Sequence, residues 1–170
     1  AAHRDTFAVN PEYLAATPRG LAAAEWLYDY GLQTSRGFRA LKVWMAIKEH
    51  GLEKFGRLID QNIAQGQFLT RLVEAEPLLE LRAPTSINIV CFRYRPPNDR
   101  GSLDEAALKA LNIEIILRLQ EEGTAVISDT MVHGRHCLRV AINNHRTRRS
   151  DLDLLVREVV RLGGEIAATL

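Results

Sequence analysis

Pro77 divides the chain between two hydrophobic periods, and that division constrains the fold more than any other feature. Upstream of it, apolar side chains recur at helical spacing. Phe38, Leu41, Val43, Trp44 and Ile47 lead to Gly51; Phe55, Leu58, Ile59, Ile63, Phe68, Leu69, Leu72 and Val73 lead to Pro77. Two helices are predicted, Ser35 to Gly51 and Leu52 to Glu76, one stopped by glycine and the other by a proline that cannot continue it. Downstream the period becomes two. Leu79 and Leu81 predict a short strand, and Ile87, Ile89 and Cys91 alternate with Asn88, Val90, Phe92 and Tyr94 in a second. A helix over Asp104–Glu122 stops at Gly123, and strands over Thr124–Ser128 and His136–Asn143 flank a hairpin at His133-Gly134. The last helix is predicted from Asp151 to Leu162, with Ser150 as N-cap and Gly163-Gly164 past its end. The fold class is therefore α+β: two long helices, then a β-β-α-β-β-α domain with an antiparallel sheet and helices on one face.

Residues 1–36 fit neither period. Ala1 has no Met before it, and Pro11, Pro18, Gly20 and Gly31 interrupt short apolar stretches; only Ala15–Trp26 is weakly helical by composition. So long an irregular stretch in a small domain implies a functional loop or a docked tail, and it reads as the end of a larger body upstream. At 170 residues and a formal charge of +1, the chain has the balance of a soluble domain rather than of a dedicated nucleic-acid or membrane binder. Two cysteines, Cys91 and Cys137, are too few for a disulfide framework, and no apolar run reaches a membrane span, so the chain reads as soluble and cytoplasmic.

Few residues carry chemistry on their own. Leu138, Val140 and Ile142 share one strand face, which places Arg139 on the other with Cys137 and Ala141. A guanidinium there grips a carboxylate through two parallel hydrogen bonds, or else sits in an ordinary salt bridge or in solvent. Tyr13 follows the turn-like Asn10-Pro11-Glu12; its phenol either donates a proton to a carbanion or anchors the loop. His133 and His136 have an H-x-x-H spacing but a turn between them and no third ligand, so no metal site is predicted. Arg146, Arg148 and Arg149 precede the last helix and suit either phosphate or solvent.

Four stretches together resemble the group II pyridoxal-phosphate amino-acid decarboxylases, the relatives of aromatic-L-amino-acid, tyrosine and glutamate decarboxylases. Thr34-Ser35-Arg36-Gly37-Phe38-Arg39-Ala40-Leu41-Lys42-Val43-Trp44 is similar to their S/G-R-x-x-x-A-L-K-x-W signature. Phe7–Leu14 resembles the mobile catalytic loop, Val90-Cys91-Phe92-Arg93 the V-C-F-R strand, and Gly134–Thr147 the closing strand and its turn. The likeness runs from about Phe7 to Gly163 and is nearer the aromatic-acid branch.

The resemblance implies the C-terminal part of a fold-type-I enzyme using pyridoxal 5'-phosphate. Residues 1–41 would end the large cofactor domain, including the mobile loop, and 42–170 would form the small domain. The family's Schiff-base lysine follows a His; none of Lys42, Lys48, Lys54 or Lys109 does, so the cofactor-binding residues are expected upstream and the fragment alone should be inert. It implies Tyr13 as proton donor to the substrate α-carbon in the neighbouring subunit of a homodimer, where a Phe accompanies aldehyde-forming chemistry in some relatives. It implies Arg139 facing the substrate carboxylate or holding the active-site entrance, and Ser35 at a pocket position where a hydroxyl meets a ring hydroxyl, favouring tyrosine or dihydroxyphenylalanine. Gly37, where many relatives carry a second basic residue, departs from the pattern. The competing reading is a stand-alone α+β ligand-binding or interaction module without catalysis.

Overall fold

The computed structural model describes residues 2–8, 23, 26–33, 35, 37–96 and 103–169. Two compact units divide the chain, Ala1–Gly51 and Leu52–Leu170. The expected helical character of Ala15–Trp26 falls almost wholly outside the described residues.

In the first unit, α1 (Ala2–Phe7) and a 3-10 turn (Leu27–Tyr30) precede α2 (Arg39–Ala75). The helical run of α2 is interrupted at Gly51, whose φ of 75° and ψ of 157° only glycine adopts cheaply. That break is the predicted glycine stop between two helices. The first begins at Arg39 rather than Ser35, because the Arg39 and Leu41 N–H groups bond back to Gly37 and Phe38 carbonyls.

The second unit contains the remainder of α2, then β1 (Leu79–Leu81), β2 (Ile89–Tyr94), α3 (Glu105–Glu121), β3 (Ser128–Val132), β4 (Arg135–Ala141) and α4 (Arg149–Ala167). The four strands form one antiparallel sheet in the order β1-β2-β4-β3. Val90, Phe92 and Tyr94 of β2 and Leu138 and Val140 of β4 share the face that meets Leu111, Ile115 and Leu119 of α3 and Val159 and Leu162 of α4. Leu69 and Val73 close the same core from α2. Full burial of such side chains contributes roughly 1.5–3 kcal/mol each, which is what holds the helices to one face of the sheet. At the end of β2, buried Asn112 accepts from the Tyr94 N–H at 2.8 Å and donates to its carbonyl at 3.0 Å, standing in for a neighbouring strand.

Local chemistry shifts several predicted boundaries. The second strand starts at Ile89, because Ile87 has φ 54° in the turn closed by the Ile89 N–H to Ser86 carbonyl bond. Asp104, predicted as the first helical residue, is instead the N-cap of α3, its carboxylate accepting from the Ala107 N–H at 2.8 Å. Thr124 does not begin a strand: its N–H and that of Gly123 are spent on the Leu119 and Gln120 carbonyls of the helix end. The third strand instead lies at Ser128–Val132, in register with a two-residue turn in which His133 (φ 49°) and Gly134 (φ 74°) join Val132 to Arg135. The last helix starts two residues before Asp151. Arg148, not Ser150, is its N-cap, and the Asp151 carboxylate holds the Arg148 N–H at 2.9 Å. Gly163 and Gly164 lie inside α4 rather than beyond it. A Cβ at Gly163 would lie 2.5 Å from Tyr94 Cδ2, so the glycine lets the ring press against the helix backbone. Among the described residues no helix is long and apolar enough to cross a membrane.

Candidate active site

In the first unit an ion pair ties α1 to the 3-10 turn. Arg4 of α1 donates through Nε (3.0 Å) and Nη2 (2.8 Å) to Oδ2 of Asp29, a carboxylate 3% exposed. His3 stacks on Tyr30, ring centroids 6.0 Å apart, and its Nε2 lies 3.0 Å from the Tyr30 carbonyl oxygen. These contacts fasten the 3-10 turn to α1. Phe7 and the segment after the turn then border an open concavity of about 730 Å³ with Leu32, Gln33, Phe38 and Arg39. That volume is in the range of small-molecule sites. Ser35 is exposed in the segment that joins this rim to α2. Sequence reasoning missed Arg4 and Asp29, whose pairing spans 25 residues and leaves no local pattern. Tyr13 lies outside the described residues.

In the second unit, Arg139 sits on the sheet face turned away from the core, opposite Cys91 on β2 and Ser128 on β3. It is half-buried, and among the described residues its side chain donates through Nη1 to the Ser128 hydroxyl at 3.4 Å. No carboxylate of the described residues pairs with it, so the fork remains open to a carboxylate from elsewhere.

Its neighbour on that face is arranged differently. Arg93 is buried, its side chain 2% exposed, and donates through Nε to Glu80 at 2.7 Å and through Nη1 to Glu105 at 2.8 Å. Arg82 also pairs with Glu80, and Arg135 reaches Glu105 at 3.6 Å. Burial works against the Glu80 carboxylate, but the Arg93 hydrogen bond and the charges of Arg93 and Arg82 outweigh it and hold its pKa below the ordinary value. Arg93 thus anchors β1, β2 and the start of α3, while Arg139 stays available.

Cys137 is not set up as a nucleophile. Cys137 is fully buried, its thiol donating to the Thr130 carbonyl at 3.5 Å, and burial together with nearby Cys91 pushes its pKa up to about 11. His133 is exposed at the hairpin turn, whereas His136 is buried with Nε2 3.0 Å from Asp129 Oδ2. The two are therefore not presented to a common ion, and among the described residues no cluster of His, Cys, Asp or Glu could hold a metal.

Pyridoxal phosphate does not fit this chain's own lysines. Lys42, Lys48, Lys54 and Lys109 all occupy exposed helix positions, where a Schiff base would be open to water.

Comparison with known proteins supplies the family. A tryptophan decarboxylase of Oryza sativa subsp. japonica is 30% identical over 79% of this chain and 26% of its own length. A tyrosine decarboxylase of Petroselinum crispum is 28% identical over 70% of this chain and 23% of its own. The crystal structure of Oryza sativa TDC with PLP and tryptamine superposes with a TM-score of 0.71 at 26% identity, covering 82% of this chain and 29% of that one. The chain therefore spans between about a quarter and a third of the proteins it matches. The family model described as the pyridoxal-dependent decarboxylase conserved domain matches residues 2–95, more than half of the chain. On that match, and with a sheet and helices laid out as in those enzymes, the chain belongs to the pyridoxal-dependent decarboxylase family.

Proposed function

We propose that this chain is the C-terminal part of a pyridoxal-phosphate-dependent carboxy-lyase that converts an aromatic L-amino acid to its amine and carbon dioxide. The observation that carries the reading is the Arg139 guanidinium, held on a sheet face beside a buried and fully paired arginine yet itself without a carboxylate partner among the described residues. An amino-acid carboxylate is the anion it suits. Residues 1–41 then belong to the end of the large domain and 42–170 to the small one, and the working enzyme is a cytoplasmic homodimer with the Schiff-base lysine outside this chain.

The bound cofactor supplies the electron sink for loss of carbon dioxide. This chain's residues supply three other things. Arg139 orients the carboxylate. Tyr13 delivers a proton to the α-carbon after the carboxylate has left. Ser35, exposed in the segment that adjoins the Phe7–Phe38 concavity, offers a hydroxyl to a ring hydroxyl, which favours tyrosine or dihydroxyphenylalanine over tryptophan.

The test is Tyr13→Phe in the complete enzyme, with amine, aldehyde and carbon dioxide each quantified. Amine formation is expected to fall by roughly 10²–10⁴-fold, the usual contribution of a positioned proton donor, or to give way to aldehyde. Unchanged amine yield removes Tyr13 from the chemistry. Replacing Ser35 by Gly should shift preference from tyrosine toward tryptophan, and no shift would remove its role in selectivity.

A further inference from the structure

One cluster of charge takes no part in this reading. Arg82, Arg93, Arg118, Arg135 and Arg161 of the second unit each face a carboxylate. Arg71, Arg146, Arg148 and Arg149 do not; all four are exposed, and among the described residues none is in an ion pair. Two of them meet at one ring. The Arg71 and Arg149 guanidiniums lie 6.0 and 5.3 Å from the centroid of Phe68, one from α2 and the other from the first residue of α4. Such cation–π contacts hold a guanidinium in place without spending its N–H donors.

The segment bearing Arg146 and Arg148 is fixed to the same helix. Gln61 Nε2 donates to the His145 carbonyl at 3.3 Å, and Gln65 Nε2 donates to the Thr147 carbonyl. Asn144 adds two bonds inside the turn, its side-chain oxygen accepting from the Arg146 N–H at 3.0 Å and its carbonyl from the Thr147 N–H at 3.1 Å. Of the acids in this stretch, Asp151 is committed to the Arg148 N–H, and Asp153 pairs with none of the four arginines. Two guanidiniums and the backbone that carries the other two arginines are therefore fixed in advance, and among the described residues none of the four charges has an ion-pair partner, in a chain whose formal charge is only +1.

We infer that this patch binds a multiply charged anion carrying adjacent phosphate groups. A terminal phosphate presents close to two negative charges and three acceptor oxygens in a small volume, which suits the two guanidinium forks held at one ring, with the adjacent phosphates left to Arg146 and Arg148 on the neighbouring turn. A carboxylate-rich peptide would have to spread single charges along an extended chain and lose its conformational freedom in doing so. The site uses none of Tyr13, Ser35 or Arg139 and stands apart from the decarboxylase reading.

Calorimetric titration of the protein with inorganic tripolyphosphate tests it, at low salt and again at about 200 mM. Binding is expected at low salt, with a several-fold loss at the higher salt as counterions compete. The double variant R146Q/R148Q, confirmed as folded by circular dichroism, should bind roughly tenfold or more weakly. R71Q should also weaken binding, whereas R118Q, on α3, paired with Glu114 and beside Glu165 at the far end of α4 from Arg149, should leave it unchanged. Absence of binding at low salt overturns the inference. So does equal affinity in R146Q/R148Q, an equal loss in R118Q, or tighter binding of a glutamate decapeptide, which would assign the patch to an acidic protein instead.

Discussion

Replacing Gly163 by Ala should destabilise the second unit, although alanine is the better helix former. A Cβ built at Gly163 lies 2.5, 2.6 and 2.7 Å from Tyr94 Cδ2, Cγ and Cδ1. Tyr94 is 1% exposed and sits in the core between sheet and α4, so the ring has nowhere to go without moving the strand or the helix. Overpacking of this severity costs about 3 kcal/mol, the upper part of the usual range. The gain in helix propensity returns about 1 kcal/mol, leaving a net loss of about 2 kcal/mol. The next residue is the control. A Cβ at Gly164 meets nothing within 4 Å, so Gly164→Ala keeps the propensity gain and should stabilise by about 0.5–1 kcal/mol. Urea unfolding followed by far-ultraviolet circular dichroism should therefore move the two midpoints in opposite directions. Thermal midpoints should differ by roughly 10 °C. A double variant with Tyr94→Ala should show Gly163→Ala costing less than it does alone. If Gly163→Ala proves as stable as Gly164→Ala, the packing of β2 against α4 is not as described.

Two further predictions concern the charged and thiol groups of the sheet. Glu80 has a folded pKa held below its ordinary value, so its contribution is present above the ordinary carboxylate range and is lost as pH falls through the depressed folded value. Glu80→Gln should cost about 1–2 kcal/mol near neutrality, less than the full loss of a buried pair because Glu105 still holds Arg93. The gap from the parent protein should close in acid, and an equal gap at pH 7 and pH 3 would refute the coupling. With Cys137 buried and its pKa near 11, only ~10⁻³ of its thiol is ionised at pH 8. Iodoacetamide should spare Cys137 in the folded protein and modify it in urea, as read by mass spectrometry of the peptides. Rapid labelling without denaturant would contradict its placement.

Much of the fold was legible because burial and spacing coincide. Val90, Phe92 and Tyr94 alternate in the sequence and all face the core; Gly51 interrupts the helical run where the period also breaks; the helix after Asp104 runs to Glu121. The misreadings have physical reasons. Ser128–Val132 is a strand because a two-residue turn sets its register, while its own Ser, Asp and Thr carry little hydrophobic signal. The pair Ser150 and Asp153 has the spacing of a capping box, but Arg148 and Asp151 have it too, and the bond from the Arg148 N–H to the Asp151 carboxylate decides between them. Gly163 resembles a helix stop in sequence and is instead a close approach to a ring 69 residues away, which no local pattern encodes. At the candidate site, the side placement of Arg139 followed from alternation alone. What surrounds it did not, because the Glu80–Arg93–Glu105 network joins two strands and a helix. The Arg4–Asp29 pair in the first unit was invisible for the same reason.

The assignment of Arg139 to an amino-acid carboxylate is tested most directly by comparing two ligands that differ in that carboxylate alone. In the complete enzyme, Arg139→Gln should raise the KM for L-tyrosine by about 10- to 100-fold, the worth of a charge-assisted hydrogen-bonded pair. Inhibition by tyramine, which lacks the carboxylate, should be unchanged, and Arg139→Lys should recover only part of the loss. Equal weakening of tyrosine and tyramine, or no weakening of either, would contradict the account.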